Sequence, residues 1–237
     1  MRFLPAAVAV LALTACGYLP PLPEPVTIGE PAARPTPGSG ATTWSPDGFR
    51  TTERVAVRIR NVGCGGVSTG SGFAVSSDRL VTNRHVVAGA TTLQVSTYDG
   101  QDLLVETAGT AVVADLAIVE TRSPLPAAVQ LAEDDPETGD PIEIIGYPGG
   151  GRLTSTTGAV LGYQEDRLDA NTDEVIVTDA PAERGSSGSP MYDEEGRVVG
   201  VVYAASSDGA RSLAVPVSTL RVLLDEASFT EGVPDCE

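Results

Sequence analysis

The sequence has no lysine, a single histidine, three cysteines and few aromatic residues, which make up 5% of its 237 positions. Its 15 arginines are outnumbered by 32 acidic residues, and the formal net charge is −17. Because nucleic-acid binding needs clustered basic side chains for the phosphates, this composition argues against a nucleic-acid partner. The low aromatic content, with abundant valine, threonine and glycine, favours strands and turns over helices.

The apolar stretch at residues 3–15, directly after Arg2, is too short to cross a bilayer. It has the length and position of a signal peptide, so we expect residues 1–15 to direct export. The stretch runs into the letters LTAC, ending at Cys16, which resemble the lipobox of bacterial lipoproteins. This resemblance implies a lipid on Cys16 and an anchor on the outer face of the cell membrane. The alternative is an ordinary signal peptide with an incidental cysteine.

Residues 16–43 are predicted to be a linker. They contain seven prolines between positions 20 and 37, and the run PGSG follows at 37–40. A segment of this composition cannot bury enough apolar area to fold. We therefore expect one folded domain, residues 44–237, held away from the membrane by the linker.

Two cysteines remain after Cys16, and they are Cys64 and Cys236. In an oxidising compartment an even pair is more often bridged than free, so we expect a disulfide, with two unpaired thiols as the alternative. Neither cysteine has a second cysteine or a histidine nearby in sequence. A zinc site is therefore not expected, and nothing in the sequence calls for a metal or another cofactor.

Short apolar or alternating runs recur from residue 55 to 119, and again from 142 to 202 after a polar stretch at 121–140. Short strands separated by turns are typical of all-β barrels and sandwiches, and the interruption indicates two sets of strands. Only residues 216–227 have helical spacing of leucines, with Pro216 in the first turn. The sequence thus predicts an all-β domain with one C-terminal helix.

Three segments contain the residue types that acyl transfer needs, in the chain order His85, Asp115, Ser187. Each alone has an ordinary explanation as a polar strand end or a turn. Together they offer a hydroxyl nucleophile, an imidazole base and a carboxylate to orient that base, beside a glycine-rich loop with backbone donors. We predict these three residues as nucleophile (Ser187), general base (His85) and orienting acid (Asp115).

The chain resembles the trypsin-like serine proteases, most closely the bacterial HtrA-like branch, over about residues 54–225. The histidine motif of that branch is similar to TNRHVV at 82–87, and its aspartate motif to DLAIV at 115–119. Its serine motif is similar to TDA at 178–180, followed after four residues by GSSGSP at 185–190.

The resemblance implies two six-stranded antiparallel β-barrels of the chymotrypsin type, at about 53–120 and 141–215, with the cleft between them and the helix 216–227 after them. His85 and Asp115 would lie on the first barrel and Ser187 on the second. The backbone amides of Gly185 and Ser187 would form the oxyanion hole. Protein or peptide would be the substrate.

The sequence departs from the family pattern before and after the predicted nucleophile. Ser186 stands where digestive relatives have aspartate and the HtrA branch has asparagine, so activation by a buried new N-terminus has no partner. Ser189 replaces the usual glycine. The peptide-binding domain that commonly follows an HtrA protease is not expected here, which removes regulation through it and favours a monomer.

The primary specificity pocket is expected between residues 182–184 and 201–204. No acidic residue stands at the position that selects basic side chains in trypsin, although Glu183 is near in sequence, and we expect a small or medium apolar side chain before the scissile bond. The segment YPGG at 147–150 resembles a family loop beside the site. It is predicted as a turn without a chemical role.

The alternatives to a peptidase are an α/β-hydrolase and a non-enzymatic module. An α/β-hydrolase needs Gly-x-Ser-x-Gly and the order serine, acid, histidine, and both requirements fail here. A catalytically silent, lipid-anchored binding or scaffold module with the same fold remains the alternative. Labelling of Ser187 by a fluorophosphonate probe separates the two, because only an activated serine reacts.

Overall fold

Two β-sheets carry almost all of the secondary structure; the first comes mainly from the N-terminal half of the described chain and the second from the C-terminal half. The structure is a computed structural model and describes residues 46–63, 65–110, 114–168, 170–171, 173–206, 209–225 and 231–232. All of these lie within one compact unit.

The first sheet contains eight antiparallel strands in the order β14-β6-β7-β3-β2-β1-β4-β5. Their bounds are β1 Ala56–Gly63, β2 Gly66–Ala74, β3 Arg79–Thr82, β4 Ala90–Thr97, β5 Asp102–Leu103, β6 Val105–Thr110, β7 Ala117–Thr121 and β14 Glu231–Gly232. Strand β1 follows from the alternation of apolar and charged residues in its sequence: Val57 and Ile59 face the core, while Arg58 and Arg60 face solvent.

The second sheet is a closed barrel of six antiparallel strands in the order β10-β13-β12-β11-β8-β9. Their bounds are β8 Pro141–Gly146, β9 Thr154–Gln164, β10 Val175–Thr178, β11 Pro190–Tyr192, β12 Val198–Ala205 and β13 Ser212–Pro216. The first six residues of β12 are buried without alternation, so this strand is covered on both faces. Such a continuous apolar run is what a strand buried on both faces requires.

The described residues also contain three α-helices and one 3₁₀ turn. They are α1 Thr51–Arg54, α2 Arg84–Val87, α3 Val217–Asp225 and the 3₁₀ turn Pro148–Gly150. No helix within the described ranges is both long and apolar enough to cross a membrane.

The predicted all-β fold with two barrel-like sheets and a C-terminal helix is confirmed. The second barrel has the predicted six strands, whereas the first sheet has eight, because the two-residue strands β5 and β14 extend its ends. Helix α3 begins at Val217, one residue later than predicted, since Pro216 still pairs with Gly200 in the sheet. The sequence does not predict the short helices α1 and α2, which are too brief to show helical spacing.

Candidate active site

His85 lies in the single turn of α2, directly after strand β3, and its ring is bonded to Asp115. The distance from His85 Nδ1 to Asp115 Oδ2 is 2.5 Å, and the His85 backbone amide donates to Asp115 Oδ1 at 3.0 Å. The Asp115 side chain is 4% exposed and that of His85 is 49% exposed. Because the Asp115 carboxylate accepts a hydrogen bond from Nδ1–H, a neutral His85 ring keeps its lone pair on Nε2.

The backbone of Asp115 is held on both sides by asparagine side chains. Buried Asn83 donates from Nδ2 to the Asp115 carbonyl at 2.7 Å. The Asp115 amide in turn donates to Asn171 Oδ1 at 2.9 Å. Neither asparagine is predicted from the sequence, although Asn83 lies inside the histidine motif.

Asn171 belongs to a loop that is organised by the carboxylate of Asp166. Asp166 accepts the backbone amides of Leu168, Ala170 and Asn171 at 2.9 to 3.0 Å, and the phenol of Tyr203 donates to it at 2.7 Å. Partial burial opposes ionisation, yet these hydrogen bonds lower the pKa of Asp166 below its usual value. Burial and the bond to Asp166 raise the pKa of Tyr203, so its phenol stays protonated and donates.

The loop between β10 and β11 carries Ser187 and leaves two backbone amides without an acceptor. Ser186 N donates to the Glu183 carbonyl at 2.9 Å, and Gly188 N donates to the Val202 carbonyl at 2.7 Å. In the described part of the chain, the amides of Gly185 and Ser187 have no protein acceptor. These are the two amides that the sequence predicts as oxyanion donors.

The same loop is docked on strand β2 close to the histidine segment. Ser71 N donates to the Ser187 carbonyl at 2.7 Å, and Thr82, three residues before His85, donates from Oγ1 to the Ser71 carbonyl at 2.7 Å. Gly188 has a φ of 87°, and a Cβ at this position would overlap the Ser71 carbonyl and the Thr82 side chain. A glycine is needed there so that the Ser187 loop can approach the first sheet.

The hydroxyl of half-buried Ser187 donates to the Tyr203 carbonyl at 3.4 Å. No hydrogen bond joins it to His85 among the residues that the structure describes. The fold thus places His85 in a direct hydrogen bond with Asp115, and it brings the Ser187 loop onto β2 beside the histidine segment.

The predicted pocket residues differ in their exposure. Ala182 is buried, as are residues 201–203 of β12, whereas Glu183 and Arg184 are exposed. The Ser186 hydroxyl accepts the Glu183 amide at 3.2 Å, which ties the loop to itself. Ser186 therefore stabilises the loop locally, in the place where digestive relatives carry an aspartate.

Three predicted positions lie outside the described residues, and they are Cys16, Cys64 and Cys236. The lipid attachment and the disulfide stay predictions. Within the described ranges, no group of three or more histidine, cysteine or acidic side chains is placed to hold a metal ion.

The architecture of two barrel-like sheets matches that of the chymotrypsin-like proteins, and the family comparison agrees. The model of the trypsin-like peptidase domain matches residues 70–201, more than half of the chain and a range that includes His85, Asp115 and Ser187. The chain belongs to this family of trypsin-like peptidases.

Relatives and solved structures place it near the HtrA-type proteases, as the sequence motifs predict. The serine protease Rv3671c of Mycobacterium tuberculosis is 34% identical over 171 residues, which cover 68% of this chain and 43% of that protein. A DegP-like periplasmic serine endoprotease of Brucella suis is 33% identical over 168 residues, covering 68% and 33%. The chain therefore spans less than half the length of these curated relatives.

The solved structures confirm the fold. The active form of the Rv3671c protease superposes with a TM-score of 0.69 at 28% identity, over 78% of this chain and 86% of that one. The HtrA-type protease AlgW with a tripeptide superposes with a TM-score of 0.66 at 29% identity, over 74% and 61%.

Proposed function

We propose that the chain is a serine endopeptidase that cleaves protein or peptide substrates through an acyl-enzyme at Ser187. The observation that carries this proposal is the bond from His85 Nδ1 to the buried carboxylate of Asp115, 2.5 Å long. Next to it, the Ser187 loop presents two amides that lack a protein acceptor in the described chain. This is the equipment that acyl transfer needs, because the base must be oriented and the developing oxyanion stabilised.

In the proposed reaction His85 Nε2 takes the proton of the Ser187 hydroxyl while the oxygen attacks the substrate carbonyl. The amides of Gly185 and Ser187 donate to the oxyanion, and Asp115 stabilises the imidazolium. His85 then gives its proton to the leaving amine. A water molecule, deprotonated by His85 in the same way, attacks the acyl-enzyme, and the carboxylic acid product leaves as Ser187 regains its proton. Ser187 must first turn from the Tyr203 carbonyl towards Nε2; in proteases without substrate this contact is commonly long and tightens on binding.

Labelling and cleavage by the purified full chain test the proposal together. A fluorophosphonate probe is expected to modify Ser187, and a peptide library is expected to be cut within its sequences. Ser187→Ala should fold normally and lose both reactions, and His85→Ala should lose labelling while Ser187 is still present. A folded wild-type chain that neither reacts nor cleaves would favour the silent scaffold module.

The proposed preference is a small or medium apolar side chain before the scissile bond. Support comes from buried Ala182 and from the exposure of Glu183, which leaves the expected pocket wall without a buried carboxylate. A selective cut after arginine or lysine in the library would contradict this preference without affecting the assignment of Ser187.

We further propose that the protein is exported and anchored in the cell envelope by a lipid on Cys16. The apolar stretch 3–15, the letters LTAC and the periplasmic location named for the Brucella suis relative support it. Cys16→Ala should move the protein from the membrane fraction to the soluble fraction. Intact mass of the mature protein should show acyl chains only when Cys16 is present.

The bridge between Cys64 and Cys236 and the monomeric state are proposals of the same kind. Alkylation of the unfolded protein before and after reduction should reveal two additional thiols if the bridge exists. Sedimentation of the soluble Cys16→Ala variant should give the mass of one chain.

A further inference from the structure

The carbonyl groups around the two unpaired amides are all held, and a single residue of the first sheet holds two of them. Gly149 N donates to the Arg184 carbonyl at 2.6 Å, and Ser189 N to the Ser186 carbonyl at 3.0 Å. The Gly185 carbonyl accepts from Ser71 Oγ at 2.8 Å, and the Ser187 carbonyl accepts from Ser71 N at 2.7 Å.

The hydroxyl of Ser71 is buried and has one possible direction. Ser71 is 0% exposed, and its Oγ also receives the backbone amide of Tyr147 at 2.8 Å. Because an amide can only donate, the hydroxyl proton must point to the Gly185 carbonyl. The side chain therefore joins two segments that lie 76 and 114 positions away in sequence, one before the 3₁₀ turn and one in the nucleophile loop.

Both contacts of Ser71 act on the orientation of Gly185. Its hydroxyl binds the carbonyl of Gly185 directly, and through Tyr147 it fixes the start of the turn whose Gly149 amide binds the Arg184 carbonyl. The Arg184 carbonyl and the Gly185 amide belong to one peptide group. Holding that carbonyl away from the cleft therefore keeps the Gly185 amide free for the oxyanion.

Resting on the proposed peptidase function, we propose that Ser71 is a positioning residue that preorganises the oxyanion hole from the first sheet. Donors that are already aligned cost no reorganisation during the reaction, which is why such sites accelerate acyl transfer. Without the hydroxyl, the Gly185 carbonyl and the Tyr147 amide would both lose a buried partner, and the 184–185 peptide would be freer to turn.

The test compares Ser71→Ala with Ser71→Cys and with Ser96→Ala in the full chain. Ser96 is a matched control because it is also a buried serine of the first sheet, on β4, and its hydroxyl has no hydrogen bond within the described residues. Ser71→Ala is expected to lower kcat by about tenfold to a hundredfold, somewhat less than the loss of a whole oxyanion donor, with KM within about twofold. Ser71→Cys, a weak donor of similar size, should have an intermediate kcat, and Ser96→Ala should keep the wild-type kcat.

A peptide boronate provides the second readout, because its tetrahedral adduct places an oxygen where the oxyanion forms. Its Ki should rise in Ser71→Ala by the factor by which kcat/KM falls, a correlation that a general loss of stability does not produce. If Ser71→Ala fails to fold, Ser71→Cys carries the comparison. A folded Ser71→Cys or Ser71→Ala variant with wild-type kcat and boronate affinity overturns the role of Ser71 alone. A folded wild-type chain without any turnover overturns the proposed function, and this role with it.

Discussion

Asn171 accepts the backbone amide of Asp115 at 2.9 Å, although the two residues lie 56 positions apart and on loops of different sheets. The second barrel thereby supports the acid whose carboxylate orients His85. Asn171 Nδ2 donates to Asp166 at 2.9 Å, and the Tyr203 hydroxyl donates to the other oxygen of Asp166 at 2.7 Å, so the support for Asp115 extends to strand β12.

Asn171→Ala is expected to lower kcat/KM by about fivefold to thirtyfold, because a hydrogen bond to a buried group contributes roughly 1 to 2 kcal/mol. Steady-state cleavage of one library-derived peptide measures the effect. Arg167→Ala is the control, since this exposed neighbour has no side-chain hydrogen bond in the described part of the chain. Equal rates for the two variants would show that Asn171 does not support Asp115 in the reaction.

Asp166→Asn is expected to change the pH dependence of stability. The folded state lowers the pKa of Asp166, so its stabilising effect is complete above the usual carboxyl pKa of about 4 and is lost as the pH falls through the lower folded value. The difference in Tm between wild type and variant should therefore be largest near neutral pH and shrink below about pH 4. Thermal unfolding from pH 3 to 7 measures it, and a constant difference across that range would contradict the account.

Gly185→Ala is expected to reduce fluorophosphonate labelling by more than about a hundredfold, the usual effect of losing an oxyanion donor. Gly185 has a φ of 93°, and a Cβ there would lie 2.7 Å from both the Tyr147 carbonyl oxygen and the Gly149 amide nitrogen. Gly100→Ala is the matched control: its φ is 86°, but nothing lies within 4 Å of the added carbon. Both variants carry the backbone strain, and only Gly185→Ala should disturb the site.

Arg50→Met is expected to lower the free energy of unfolding by about 1 to 2 kcal/mol, because it removes a bidentate, partly buried ion pair. Arg50 donates to both carboxylate oxygens of Glu143 at 2.8 and 2.7 Å, linking the segment before α1 to strand β8. Arg122→Met is the control, since the Arg122 to Glu106 pair is 3.5 Å long and mostly exposed. Denaturant unfolding should show a smaller loss for Arg122→Met, and the reverse order would contradict the structural ranking.

The alternating and buried apolar runs determined the two sets of strands, because side-chain burial in a sheet is a local pattern of period two. The three motifs likewise determined the protein class and its candidate site residues, since each motif is contiguous in sequence. The sequence did not determine where strand β13 ends: Pro216 suits the first turn of a helix equally well, and only its pairing with Gly200 assigns it to β13.

Only the tertiary structure decided which groups support the site. Ser71, Asn83 and Asn171 are ordinary polar residues in the sequence, and their partners lie 114, 32 and 56 positions away. No local periodicity encodes such contacts: the Asn83 contact joins two loops of the first sheet, and the contacts of Ser71 and Asn171 arise where the two sheets meet. The sequence by itself determined the chemistry that His85, Asp115 and Ser187 can offer, and the docking of the two sheets decided how the backbone around them is held.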